Sequence, residues 1–109
     1  MKVLFIRKVR EYLKRLIQIL YNKEYFGFEE TAKKYVSDLI FDITTNLPTH
    51  QHKPAPKYFD KYGKGMYYAV FRKSKNTQWY VFFTPYKEKG ETIFLIRYIA
   101  NNHVIAQYL

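Results

Sequence analysis

Residues 66–109 read MYYAVFRKSKNTQWYVFFTPYKEKGETIFLIRYIANNHVIAQYL, and this stretch decides the fold. Met66 to Lys73 alternates in polarity and is rich in β-branched and aromatic residues, the pattern of a strand. Ser74 to Thr77 reads as a turn, and Gln78 to Thr84 as a second strand. Pro85 is expected to stop that strand or hold it at an edge, because proline has no N–H to give to a ladder. Lys87-Glu88-Lys89-Gly90 reads as a hairpin turn. Thr92 to Ile99 is a third strand, apolar on both faces and therefore expected inside the sheet. A polar tail begins at Asn101-Asn102-His103.

Upstream of this meander the hydrophobic period changes twice. Val3 to Ile6 is a short apolar run and reads as a strand. From Arg7, residues Val9, Tyr12, Leu13, Leu16, Ile17 and Leu20 recur at three- and four-residue spacing, the mark of an amphipathic helix. Its other face carries Lys8, Glu11, Lys14, Arg15 and Gln18. Gly27 lies in the break between helices, where a residue without a side chain lets the chain turn. A second helix is expected from about Phe28 to Asn46, with Ala32, Tyr35, Val36, Leu39, Ile40, Ile43 and Leu47 along one stripe. Glu29 and Glu30 favour its positive end, and Pro48 cannot continue its hydrogen-bond ladder.

The order is β-α-α-β-β-β, which makes the chain one α+β domain over residues 1–109. A helix hairpin (about 7–47) packs on one face of a small, twisted, mainly antiparallel sheet that the first strand joins. Between hairpin and meander (66–109) lies a basic loop, residues 48–65, with three prolines and two glycines. A loop of that length inside a small domain is usually functional.

Composition narrows the functional classes. There are no cysteines, which excludes a disulfide framework and a cysteine zinc site. Four apolar residues precede Arg7, too few for the apolar core of a signal peptide, and no run approaches a membrane span. A cytoplasmic, non-membrane protein is expected, with no cofactor. His50-x-His52 could join His103 in a three-histidine metal site, but loop histidines without a metal are far commoner, and none is expected.

The formal net charge is +10, and 12 Tyr and 9 Phe stand among the 109 residues. Cations that hold phosphates beside rings that stack bases suit RNA. The charge is also uneven. Residues 48–87 carry eight Lys or Arg and one acid, Asp60, whereas residues 1–47 carry nine against six and residues 88–109 are balanced. The excess therefore falls on the loop and the first two meander strands, where a phosphate-binding surface is expected.

Tyr67 to Lys73, Trp79 to Phe83, and Ile93 to Tyr98 followed by Asn101-Asn102-His103 resemble the RelE/ParE superfamily of bacterial type II toxins. In that family a strand ending in basic residues precedes an aromatic-rich strand, and a last apolar strand runs into a polar tail. The resemblance covers nearly the whole chain. It implies a toxin–antitoxin, plasmid-stabilisation type of protein, held inactive by a cognate antitoxin. RelE-like members cleave mRNA on the ribosome and inhibit translation, whereas ParE-like members bind DNA gyrase and cleave nothing. A toxin fold that has lost activity and serves as an interaction module is a third possibility.

Ribonuclease chemistry needs a base for the ribose 2′-hydroxyl, cations for the phosphorane and an acid for the leaving oxygen. The resemblance places Arg72 and Lys73 at the basic end of the first meander strand. Tyr80 and Asn102 fall where active members carry arginines. Tyr108 matches a tail tyrosine, with His103 as an alternative acid–base group, since a histidine's reference pKa of about 6.5 suits proton exchange. Arg97 is the lone charge in the last strand, either a functional cation or an ion-pair partner of Asp38 or Asp42. The expected catalytic set is thus Arg97, His103 and Tyr108, for an endoribonuclease. The expected nucleic-acid-binding set is Arg72, Lys73, Lys75, Lys64, Lys61 and Tyr80. Alternation puts Trp79, Val81 and Phe83 on one face and Tyr80 and Phe82 on the other. One of those sets belongs to the core, and the other is either buried as well or a stacking platform.

Overall fold

The change of period at Arg7 marks a real boundary. In the computed structural model, which describes residues 1–23 and 27–109, strand β1 (Lys2–Phe5) gives way directly to helix α1 (Arg7–Asn22). The middle of the interhelical link, residues 24–26, lies outside the described residues. Helix α2 spans Glu29–Asn46, with Glu29 and Glu30 in its first turn, and a 3-10 turn at Leu47–Thr49 holds Pro48. Val9, Leu13 and Leu16 of α1 and Val36, Leu39 and Ile43 of α2 are buried, as the periodicity requires.

The segment 48–65 is more ordered than a loop. It contributes a two-residue strand, β2 (Lys53–Pro54), and a 3-10 helix, Lys57–Tyr62. Strands β3 (Tyr67–Arg72), β4 (Gln78–Glu88) and β5 (Glu91–Asn101) follow, then a short helix α3 (Asn102–Ile105) and a last 3-10 turn, Ala106–Tyr108. Pro85 does not stop β4. Strand β3 pairs with β4 only from Gln78 to Phe83, so Pro85 lies where β4 has β5 alone beside it, and a missing donor is tolerated on a strand with a free edge.

The sheet runs β1-β5-β4-β3-β2. Strand β1 is parallel to β5, and the other pairings are antiparallel, so β5 has a neighbour on both sides. The fold is α+β, a helix pair on a five-stranded mixed sheet. No helix among the described residues is long and apolar enough to cross a membrane.

One irregularity shapes the rest. Phe82 pairs with Tyr98 and Phe83 with Ile96, so Arg97 stands in a β-bulge without a partner across β4. An extra residue in one strand switches which side chains face which way. Before the bulge, Phe94 and Ile96 face the helices. After it Ile99 does so, while Tyr98 and Ala100 turn to the opposite face.

Both faces are consequently packed. On the helix face Trp79, Val81 and Phe83 join Phe71, Leu39 and Ile43, and the Trp79 indole N–H donates to the Tyr35 hydroxyl at 2.9 Å. On the other face Phe82 packs with Phe59 of the 3-10 helix, Met66, Ala100 and Ile105 of α3, flanked by Tyr68, Tyr80 and Tyr98. Phe59 and Phe82 stack with ring centres 4.3 Å apart. Both aromatic sets of β4 are therefore covered, and Phe82 is no free stacking platform.

Candidate nucleic-acid interface

Strand β1 accompanies β5 only as far as Ile96, because the chain then turns into α1. Beyond that point β5 lines a cleft whose opposite wall is α1. Arg97, Tyr98, Ile99 and Ala100 form one side, Lys8, Val9, Tyr12 and Arg15 the other, and Tyr62 and Val104 close the ends around about 340 Å³. A second cavity of about 480 Å³ adjoins it, with Tyr12 and Val104 common to both. Its further walls come from Leu16, Leu20 and Lys23 of α1, Tyr35 of α2, Ser74 and Thr77 of the β3–β4 turn, Trp79, and His103. Together they make one groove along α1. Among the described residues, no carboxylate lines it.

Arg97 is held firmly at one end. Its Nε donates to the Tyr62 carbonyl at 2.9 Å. Gly63 sits against it so closely that a Cβ there would lie 2.6 Å from Nε. Asp38 is paired with Lys34, and Asp42 accepts from Asn46, so neither of the expected acids is its partner. The Tyr62 and Tyr98 rings stack at 3.8 Å. Burial, then hydrogen bonding to Tyr62, pushes the Tyr98 hydroxyl well above the ordinary phenol range, and burial also raises Tyr12. Both hydroxyls are therefore neutral donors at physiological pH.

His103 marks the other end, exposed, with its Nε2 3.4 Å from the Thr77 hydroxyl. Lys73 lies over the Tyr35 ring at 5.2 Å, next to this cavity. Asn102 is structural. Its side chain accepts from the Gln78 N–H and donates to the Asn76 carbonyl, tying α3 to the β3–β4 turn. The Arg72 Nε bends back to the Ser74 carbonyl at 3.4 Å, while Lys64 and Lys75 are exposed. Tyr80 is half-buried on the face away from the helices, its hydroxyl 3.5 Å from the Gln78 side chain.

Tyr108 stands elsewhere. It stacks on Tyr58 of the 3-10 helix at 3.7 Å with the rings nearly parallel, and Lys61 lies 4.0 Å over the Tyr58 ring. The Lys61 ammonium, donating to the Tyr58 hydroxyl, draws that phenol below its ordinary value. Arg97, His103 and Tyr108 thus occupy two ends of a groove and a separate stack. His50 and His52 serve the core, His50 stacked on Phe71 and His52 edge-on to Phe83. Among the described residues no three His, Cys, Asp or Glu side chains gather as a metal site.

Sequence reasoning missed Lys8, Tyr12 and Arg15 as site residues. Part of the signal was present, since positions 8, 12 and 15 are spaced i, i+4 and i+7, which sets Lys8 and Arg15 at the border of the stripe that holds Tyr12. Tyr62 and Tyr98 carried no such sign, because the bulge that turns Tyr98 is invisible in a simple alternation. In comparison with known proteins, no family model, no curated protein and no solved structure matches the chain.

Proposed function

We propose that the chain is a toxin of the RelE/ParE type that acts on ribosome-bound mRNA and is silenced by a protein antitoxin. The observation that carries this reading is the tyrosine-lined groove along α1, with no carboxylate among its described lining residues, Arg97 at one end and His103 at the other. Phosphates of a single strand would lie along Lys8, Arg15, Arg97 and Lys73, where no carboxylate among the described residues lines the groove. His103 would move the proton at the 2′-hydroxyl or the leaving oxygen, with Lys73 beside it for the developing charge. The helix pair packed on a sheet that the first strand joins is compatible with the same family reading. An acidic antitoxin segment would fold over the helix pair or the 66–84 strands, matching the +10 charge.

A second reading, a gyrase-binding toxin or interaction module with no catalysis of its own, is favoured by one observation. The sheet face opposite the helices is filled by Phe59, Met66, Phe82 and Ile105, and Tyr108 lies apart from His103 and Arg97. A cell-free bacterial translation reaction separates the two. With the wild-type chain, new 5′ ends inside translated codons are expected, and His103→Ala and Arg97→Ala should abolish them. Intact mRNA with unaffected translation would remove the nuclease, and inhibition of gyrase supercoiling would then establish the second reading.

A further inference from the structure

The Arg97 end of the groove has a geometry that a strand-binding surface does not need. Arginine carries five N–H donors, and the bond to Tyr62 uses the one on Nε. The four on the terminal nitrogens take part in no ion pair among the described residues. A half-buried guanidinium fixed by a backbone carbonyl and a glycine keeps its terminal donors for water or for an anion that enters the cleft. Lys8 and Arg15 reach the same cleft from α1, so three cations converge where no carboxylate among the described residues lines the wall. The Tyr12 hydroxyl, also on the cleft wall, adds a donor. The remaining wall, Val9, Ile99 and Val104, is apolar, and about 340 Å³ is far more room than a phosphate requires. That volume falls within the roughly 300–1,000 Å³ of small-molecule sites.

We propose that this cleft is a nucleotide site, in which Arg97, Lys8 and Arg15 take the phosphate and the apolar wall takes the base and ribose. The proposal deepens the RNA reading by naming the unit bound at this end, but it stands or falls by a separate measurement. The ligand is either a free nucleoside monophosphate or one nucleotide of a strand, both presenting the same phosphate and base.

The test is titration calorimetry of the full chain with adenosine 5′-monophosphate, adenosine, inorganic phosphate and a short oligouridylate. The monophosphate should bind at least about tenfold more tightly than adenosine or phosphate alone, since charge-assisted bonds and the apolar wall act together. The Lys8→Ala/Arg15→Ala double variant, altered only at exposed helix positions, should lose about tenfold or more in monophosphate affinity. Lys87→Ala/Lys89→Ala, at the distant β4–β5 turn, should change it little. Arg97→Lys, which keeps the charge but not the fork held by Tyr62, should fall between them. If the oligonucleotide weakens in parallel with the monophosphate, the site serves a strand. If the monophosphate alone weakens, it serves a free nucleotide. No binding at millimolar monophosphate, adenosine or phosphate binding as tightly, or equal loss in both double variants would each overturn the proposal. The mRNA-end assay is read separately. Codon-internal ends made by a wild-type chain that binds no monophosphate would sink the cleft and leave the toxin reading. Nucleotide binding without new mRNA ends would do the reverse.

Discussion

The two faces of the sheet are equally dry and very unequally covered. On one face Phe83 is fully buried beneath helices of 16 and 18 residues. On the other, Phe82 is fully buried beneath a six-residue 3-10 helix and a four-residue helix. Complete burial therefore does not need a thick layer. It needs a few large side chains in the right place, here Phe59 and Ile105. The helix face carries stability that no local rearrangement can surrender. The thin cover is held by few contacts, and its outer surface is the exposed stack of Tyr58, Lys61 and Tyr108. Whether the sheet's second face is reachable by RNA depends on that cover alone.

Mutations can break or sharpen this contrast. Phe83→Ala should cost about 3–5 kcal/mol in urea unfolding, because helices and sheet cannot both close on the void. Phe59→Ala should cost less, about 3 kcal/mol or below, because a 3-10 turn can settle inward. Equal losses at the two positions would show that the thin cover is as rigid as the helix layer. Gly63→Ala comes next. Its φ of +156° disfavours a side chain, and the added Cβ would strike Arg97, so about 1–3 kcal/mol is expected, with weakened nucleotide binding at the cleft.

Tyr98 links the same region to pH. Its folded pKa is raised above an unfolded value of about 10, so the native state keeps a proton that the unfolded chain has lost. That contribution is complete below about pH 10 and is lost as pH rises beyond it. Unfolding midpoints measured from neutral to alkaline pH should fall along this limb, and less steeply in Tyr98→Phe. The smallest effect belongs to the exposed Lys34–Asp38 pair on α2, where Lys34→Ala should cost under about 1 kcal/mol.

Much of this architecture was legible in the residues, and the exceptions have causes. The helices and the three long strands announced themselves through period, since Val9, Leu13 and Leu16 or Trp79, Val81 and Phe83 can be buried together in only one conformation. Pro85 left two outcomes open, a stop or an edge, and the edge holds because β3 ends before it, a tertiary fact. The 48–65 segment looked like a loop by its prolines, yet Phe59 within it fills the second core. Three aromatics close together in a basic, proline-rich stretch, Tyr58, Phe59 and Tyr62, give no helical or strand period that would single out Phe59. The candidate site was half legible. Arg97 stood out as the one charge in an apolar strand, but its cleft is completed by Lys8 and Arg15 from the polar face of α1, to which no site role was given.

The pairing of β1 with β5 has one more consequence. Lys2 lies opposite Ile93, so the first strand made waits for the last before it gains its only neighbour in the sheet. While the chain leaves a ribosome, the helix pair has no complete floor to settle on, and contacts of such long sequence separation form slowly. Assembly of the Arg97 cleft, which needs α1 and the far half of β5 together, is thereby deferred until synthesis has passed the end of that strand. The parallel β1–β5 pairing thus ties the groove to the most distant contact in the sheet, so the cleft depends on the joining of the two strands farthest apart in sequence.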